Sequence, residues 1–180
     1  MARTLDDLRD ALPDYARDLK LNLGSVLAPT GAPGLSERQI WATALATAIA
    51  SRNVAFARDI EELARAHLDE AHLAAARSAA AIMGMNNVYY RFLHLVDDAE
   101  YGRMPARLRM NVIGSPGIDK NDFELLSLAV SAVNGCGGCI VAHERKLREN
   151  GVAREAIQSA VRIAATMHAV AGALELREAA

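Results

Sequence analysis

The chain of 180 residues is poor in aromatic residues, with one Trp, three Phe and four Tyr. Runs of β-branched residues are also scarce, whereas Ala and Leu supply most of the apolar side chains. Ala and Leu favour helices, while aromatic and β-branched residues favour strands. No segment alternates polar and apolar residues as a half-buried strand would. These shortages predict an all-α protein, and the length suits a single domain over residues 1–180 with a substantial core.

Two further absences limit the classes of function. Acidic and basic residues nearly balance, with a formal net charge of −2, so we expect no basic face for a nucleic acid. No apolar run approaches the roughly 20 residues that a membrane-spanning helix needs. The N-terminal segment is acidic and amphipathic and does not resemble a secretory signal. We therefore expect a cytoplasmic protein that has no nucleic-acid or membrane partner.

Capping residues, glycines and prolines divide the chain into predicted helices. Ser36 and Gln39 form the pattern of a capping box, and Asn53, Asp69 and Asp119 are suited to cap later helices. The predicted helices cover about residues 4–22, 36–51, 53–64, 69–96, 120–133, 136–150 and 153–175. Loops are expected at 28–34, around Gly102 and Pro105, and at 114–117.

A weak internal repeat relates residues 35–96 to residues 118–176. Offsets of about 83 or 84 residues bring several Leu, Ala and Met residues of the two segments into register. Since alanine-rich sequences produce such matches by chance, the duplication is a hypothesis. In the first copy, Asn53 and Phe56 would stand where the second copy has its two cysteines.

The only two cysteines, Cys136 and Cys139, are separated by two residues, and His143 follows one helical turn after Cys139. In the cytoplasm such a pair is more often catalytic or metal-binding than a structural bridge. Only a thiolate attacks a peroxide or a disulfide, and a free cysteine with a pKa of about 8.5 is mostly protonated at neutral pH. The break at Asn134 and Gly135 predicts that both thiols lie in the first turn of a helix, whose dipole favours negative charge. His143 is in position to accept the thiol proton.

Two arguments disagree about which sulfur is the more reactive. The helix dipole favours Cys136, which is nearer the helix start, whereas the spacing to His143 favours Cys139. We give more weight to His143, because a hydrogen-bonded base transfers a proton specifically while a dipole acts on both thiols. Glu124 is a candidate to orient His143, because a carboxylate in an otherwise apolar segment must face solvent or be buried and paired. A first-turn glutamate that is favoured only by the helix dipole fits the sequence as well.

Other interpretations of the cysteine motif remain open at this point. The two thiols could be buried and inert. They could also bind zinc with His143 and one further histidine, although structural zinc sites usually draw on two such cysteine pairs and the chain has one. A thioredoxin-like site would require strands around a βαβ unit, which the sequence lacks. Because a second cysteine pair is missing, we predict no metal, and because thiol–disulfide chemistry needs none, we predict no bound cofactor.

The segment from Asn134 to Glu144, preceded by Phe123-Glu124-Leu125, resembles the motif of the alkyl hydroperoxidase D (AhpD) proteins of the carboxymuconolactone decarboxylase-like superfamily. The cysteine motif alone indicates only the superfamily. The resemblance extends over nearly the whole chain and includes residues 12–16, 81–91 and 109–113, which makes it specific to AhpD proteins.

The resemblance implies an all-α homotrimer and an antioxidant peroxidase that takes electrons from a dihydrolipoyl group on a carrier protein and reduces the peroxiredoxin AhpC. By that pattern Cys139 becomes a sulfenic acid and forms the mixed disulfide with AhpC. Cys136 is the proton donor and resolving thiol, and His143 and Glu124 form a proton relay. One position departs from the pattern, because some relatives have a histidine where this chain has Gly138.

Two alternatives to a peroxidase remain. One is an acid–base decarboxylase or isomerase of the same superfamily, for which a cysteine pair is superfluous. The other is a zinc-stabilised helical module without enzymatic activity.

Overall fold

The computed structural model describes residues 3–178 and the side chains of residues 3–176, so residues 1, 2, 179 and 180 of the predicted domain lie outside the described part. All the long regular elements within this part are helices, which confirms the all-α prediction. They are α1 Leu5–Asp10, α2 Arg17–Val26, α3 Glu37–Ala50, α4 Val54–Ala64, α5 Glu70–Leu95, α6 Ala99–Arg103, α7 Asn111–Gly114, α8 Lys120–Val133, α9 Gly137–Glu149 and α10 Arg154–Glu178. Short 3-10 turns lie at Asp14–Ala16 and Pro29–Gly31.

The predicted helix starts are confirmed by their caps. Ser36 and Gln39 form a reciprocal capping box at the start of α3. Asn53, Asp69 and Asp119 each accept a hydrogen bond from a backbone N–H in the first turn of α4, α5 and α8. These caps satisfy N–H groups that have no partner within their helix.

Two predictions about helix boundaries are wrong. The first predicted helix, over about 4–22, is divided into α1 and α2. Pro13 lies between them, and a proline both lacks an N–H donor and disfavours the helical conformation of the residue before it. The loop predicted around Gly102 contains the short helix α6, which Asp98 caps by accepting a hydrogen bond from the Glu100 N–H.

The core lies among α3, α5, α8 and α10, where α3 and α8 pack against each other and against both α5 and α10. Helix α8 also contacts α9, and its buried residues include Phe123 and the whole stretch 125–131. Each large apolar side chain removed from water contributes about 1.5–3 kcal/mol. The packing therefore fixes the position of α8 and of the chain that leaves its C-terminal end. Within residues 3–178 no helix combines the length and apolar character required to cross a bilayer.

We propose that the internal repeat is a duplication of a three-helix unit. The first copy would contain α3, α4 and α5, and the second copy would contain α8, α9 and α10 in the matching order. After α3 and after α8 the chain passes through a left-handed residue, Arg52 with φ 66° and Gly135 with φ 68°. Asn53 and Cys136 then stand just before α4 and α9. The two copies thus share a left-handed residue followed by the residue that precedes the next helix, which supports the proposal.

Asn53 provides a test of how the two halves are joined. It is 4% exposed, accepts a hydrogen bond from the Phe56 N–H (2.9 Å), and donates from Nδ2 to the Ala171 carbonyl oxygen of α10 (3.2 Å). Asn53→Ala should lower the free energy of unfolding by about 2 kcal/mol, because it removes a cap and a second buried hydrogen bond. Chemical denaturation measures the loss. Ser36→Ala, at an exposed cap, is the control and should cost about 1 kcal/mol. Equal losses in both variants would show that the bond to Ala171 contributes nothing.

Candidate active site

The site begins at the corner where Asn134 and Gly135 end α8 in a Schellman motif. The Gly135 N–H donates to the Ala132 carbonyl oxygen (3.2 Å), and the Cys136 N–H donates to that of Ser131 (3.1 Å). Gly135 has the left-handed φ of 68°, which a glycine adopts without the steric cost of a side chain. From this corner the chain enters α9, which packs against α8.

Cys136 and Cys139 are joined in a disulfide, with their Cα atoms 5.3 Å apart. Cys136 is the residue before α9, and Cys139 is the third residue of that helix. The prediction that both lie in the first turn is therefore right for Cys139 and one residue out for Cys136. Their burial differs too, because Cys136 is 0% exposed and Cys139 is 7% exposed. The two sulfurs are thus not equivalent to a molecule that approaches from outside.

Glu124 and His143 form a direct pair between α8 and α9. The distance between His143 Nδ1 and Glu124 Oε2 is 2.6 Å, and both side chains are largely buried. Of the two interpretations of Glu124, the paired one is therefore correct. An ionised carboxylate can only accept hydrogen bonds, so Nδ1 carries the proton in this contact. In the neutral ring, Nε2 of His143 is then a hydrogen-bond acceptor. His143 lies one helical turn after Cys139.

A cavity of about 260 Å³ lies beside the disulfide. Its wall is mostly apolar and contains Cys139 and His143, but Cys136 does not line it. The lining residues come from α5, from α9 and from the region of α7: Met83, Asn86, Tyr90, His94, Met110, Ile113, Gly138, Cys139, Ala142 and His143. Of the two cysteines, only Cys139 is therefore accessible to a small apolar molecule in the cavity.

A chain of hydrogen bonds, which the sequence reasoning missed, holds the corner against α5. Asn134 Nδ2 donates to Asn87 Oδ1 (2.9 Å), and Asn87 Nδ2 donates to Ser131 Oγ (2.8 Å). Arg91 Nη1 donates to the Asn134 carbonyl oxygen (2.7 Å). The available signal was the pair of adjacent asparagines in an apolar helix, because a buried amide requires partners. These bonds fix the backbone from which Cys136 begins.

The other four histidines have separate surroundings. His67 stacks on Trp41, His72 contacts Asp69, and His168 lies near Ser51. Only His94 reaches the cavity beside the disulfide. Its helical spacing from Met83, Asn86 and Tyr90 was the signal that could have placed it there. No group of three His, Cys, Asp or Glu side chains in the described part of the chain is arranged to hold a metal ion.

The fold and the site together define an all-helical thiol–disulfide oxidoreductase, with a reducible cysteine pair at a helix start and a His–Glu pair one turn beyond. Residues 99–180 match the model of the Carboxymuconolactone decarboxylase family. The chain is 57% identical to the alkyl hydroperoxide reductase AhpD of Frankia alni, over 97% of this chain and 93% of that protein. It is 56% identical to the AhpD of Rhodospirillum centenum (98% and 93%) and 56% identical to that of Streptomyces coelicolor (96% and 95%). The chain belongs to the AhpD family, as the resemblance of its motifs predicted.

The Glu124–His143 contact predicts the tautomer of His143. In the neutral ring we expect the proton on Nδ1, which long-range ¹H–¹⁵N NMR detects directly. Glu124→Gln should move the proton to Nε2 in part of the molecules, because an amide can also present its N–H to the ring. Glu144→Gln, which changes a neighbouring carboxylate of α9, is the matched control and should leave the tautomer unchanged. A wild-type ring protonated on Nε2 would contradict the geometry.

Proposed function

We propose that the protein is an antioxidant peroxidase that reduces organic hydroperoxides with Cys136 and Cys139, and that it also reduces the peroxiredoxin AhpC. The main support is the disulfide beside the Glu124–His143 pair, with Cys139 in the wall of an apolar cavity. Membership of the AhpD family supports the same function, because the curated relatives are named alkyl hydroperoxide reductases.

In the oxidative half of the cycle, His143, oriented by Glu124, accepts the proton of Cys139. The thiolate attacks the terminal oxygen of the hydroperoxide, a sulfur–oxygen bond forms, the oxygen–oxygen bond breaks, and an alcohol leaves. The Cys136 thiol then donates its proton and attacks the sulfenic sulfur of Cys139, which forms the disulfide and releases water. Burial supports these roles, because Cys139 reaches the cavity and Cys136 does not.

In the reductive half, a dihydrolipoyl group of a carrier protein supplies two electrons by thiol–disulfide exchange. One of its thiolates attacks the disulfide, and its second thiol completes the exchange and leaves as lipoyl disulfide. We assign the mixed disulfide with AhpC to Cys139, the cysteine that is not fully buried. The cycle requires no bound cofactor. It does require a steady thiol supply, which supports a location in the cytoplasm.

Single cysteine variants test these roles. Cys139→Ser should abolish peroxide consumption, because it removes the attacking sulfur. Cys136→Ser should allow one turnover and then stop at the sulfenic acid of Cys139, which a diketone reagent traps for mass spectrometry. Substantial peroxide turnover by Cys139→Ser would refute the assignment.

The Cys136→Ser variant also tests the two electron partners, since it has no thiol of its own that could resolve a mixed disulfide at Cys139. Mass spectrometry should detect Cys139 linked to the peroxiredoxin and, when one of the two lipoyl thiols is blocked by alkylation, to the lipoyl donor; free dihydrolipoamide should leave no adduct, because its second thiol completes the exchange. For the wild type, stopped-flow mixing with dihydrolipoamide, peroxide and oxidised peroxiredoxin in turn compares the rates. A peroxiredoxin that is reduced equally fast by dihydrolipoamide alone would argue against the AhpC role.

An acid–base decarboxylase or isomerase is the second candidate, and the Glu124–His143 pair is the observation in its favour, because that chemistry uses no thiol. Turnover that survives replacement of both cysteines by serine would support this candidate. A zinc-stabilised module is tested by metal analysis, where about one zinc per chain would contradict the redox cycle.

We propose further that the protein assembles as a homotrimer. Exposed apolar side chains continue from α5 into the following segment: Val88, Phe92, Leu95, Val96, Tyr101, Met104 and Leu108. Contiguous apolar surfaces of this kind mark interfaces more often than free surfaces. A second and third copy of the chain would cover these residues.

The apolar surface predicts the effect of a charge at Leu95, which is 75% exposed. Leu95→Glu should dissociate the trimer, because it would place a carboxylate in a dry interface, and analytical ultracentrifugation measures the mass. Leu21→Glu is the matched control, since Leu21 is 66% exposed on α2. A wild-type protein that sediments as a monomer would contradict the proposal.

A further inference from the structure

The imidazole of His94 lies directly against Gly138, the residue before Cys139. A Cβ atom added to Gly138 would lie 2.0 Å from Cε1 of His94 and 2.1 Å from its Nδ1. Atoms at such distances overlap, so position 138 is compatible only with glycine while His94 keeps this conformation. Because Gly138 has no side chain, the imidazole of His94, on α5, can lie against the turn between the two cysteines.

The ring of His94 is available to a ligand. It forms no hydrogen bond or ion pair with another residue in the described part of the chain, and it lines the same cavity as Cys139 and His143. No Asp, Glu, Lys or Arg side chain contributes to that wall among the described residues. The ionisable side chains in the wall are those of Tyr90, His94, Cys139 and His143. Of the charged residues next to them, Arg91 donates to the Asn134 carbonyl oxygen and Glu124 contacts His143.

Peroxide reduction involves a second proton transfer, to the oxygen that departs as an alcohol. The thiolate attacks one peroxide oxygen in line, so the departing oxygen develops its charge on the side away from the sulfur. An alkoxide is strongly basic, and its departure is accelerated by an acid that protonates it as the bond breaks. His143 follows Cys139 along α9, whereas His94 contacts the residue before Cys139. Both imidazoles thus line the cavity that Cys139 lines, and they approach it from two different helices.

We propose that His94 is a further catalytic residue, the acid that protonates the departing alkoxide. The Cys139 thiolate forms the sulfur–oxygen bond, and the electron pair of the oxygen–oxygen bond passes to the alkoxide. This oxygen takes a proton from the imidazolium of His94 and leaves as an alcohol. His143 has taken one proton from the thiol, and exchange with water restores both rings. The net change is one thiol and one hydroperoxide to one sulfenic acid and one alcohol. The proposal rests on the proposed peroxidase function, with Cys139 as the attacking sulfur.

Two classes of peroxide distinguish a proton donor from a residue that only supports the fold. An alkyl hydroperoxide loses a basic alkoxide, whereas a peroxycarboxylic acid loses a carboxylate that needs no proton at neutral pH. We expect His94→Gln to slow sulfenic acid formation from the alkyl hydroperoxide by about 100-fold, the lower part of the range for a general acid. The same variant should react with the peroxycarboxylic acid at nearly the wild-type rate. Rapid quenching of the reduced protein with a thiol-alkylating reagent measures both rates in a single turnover.

Gly138→Ala tests the placement without changing His94. The added methyl group would displace the ring, so this variant should lose activity on the alkyl hydroperoxide alone, as His94→Gln does. The double variant should be no slower than either single one. Gly137→Ala is the matched control, since an added Cβ there meets no atom within 4 Å. His168→Gln controls for the loss of an exposed histidine elsewhere.

The outcomes separate this proposal from the function on which it rests. Wild-type rates in His94→Gln, or equal losses on the two peroxides, would overturn the role of His94 and leave the peroxidase intact. Full activity of Gly138→Ala on the alkyl hydroperoxide would overturn the placement of the ring. A reduced wild-type protein that fails to react with either peroxide would overturn the proposed function itself.

Discussion

The site depends on one constraint, the turn at Gly135 at the end of a buried helix. Helix α8 packs against α3, α5, α9 and α10, so its C-terminal end has little freedom to move. The left-handed conformation of Gly135 then sends the chain into α9 alongside α8. The same turn places Cys136 before the new helix and brings His143 next to Glu124, although these two residues are 19 positions apart. A residue that resists this conformation would disturb all three at once.

Burial makes the two sulfurs chemically different. Cys136 is enclosed, while Cys139 opens into a cavity whose wall is mostly apolar. This difference supports the proposed roles, in which a molecule from outside approaches Cys139 and the enclosed Cys136 closes the disulfide. In the sequence the helix dipole favours Cys136 and the neighbouring base favours Cys139, and access to the cavity supports our proposal that Cys139 is the attacking residue.

Much of the fold could be predicted because its signals are local. Caps such as Ser36 and Asn53 act within a single helical turn, so their sequence pattern is sufficient to place a helix start. The break at Pro13 was missed because apolar periodicity continues on both sides of it. The bonds that join Asn87 to Ser131 and Asn134 were missed for a different reason, since their partners are more than 40 residues apart.

The sequence by itself determined the helical class and the local partnership of Cys139 and His143, because an i, i+4 spacing sets a distance along any helix. It also limited the role of Glu124 to two alternatives. Only the tertiary structure decided between these alternatives, and only the tertiary structure brought His94 to Gly138. Helical periodicity shows which face of a helix is buried, but it does not show which neighbouring helix covers that face. Contacts between α5, α8 and α9 result from the packing of the whole core, and no single segment of sequence specifies them.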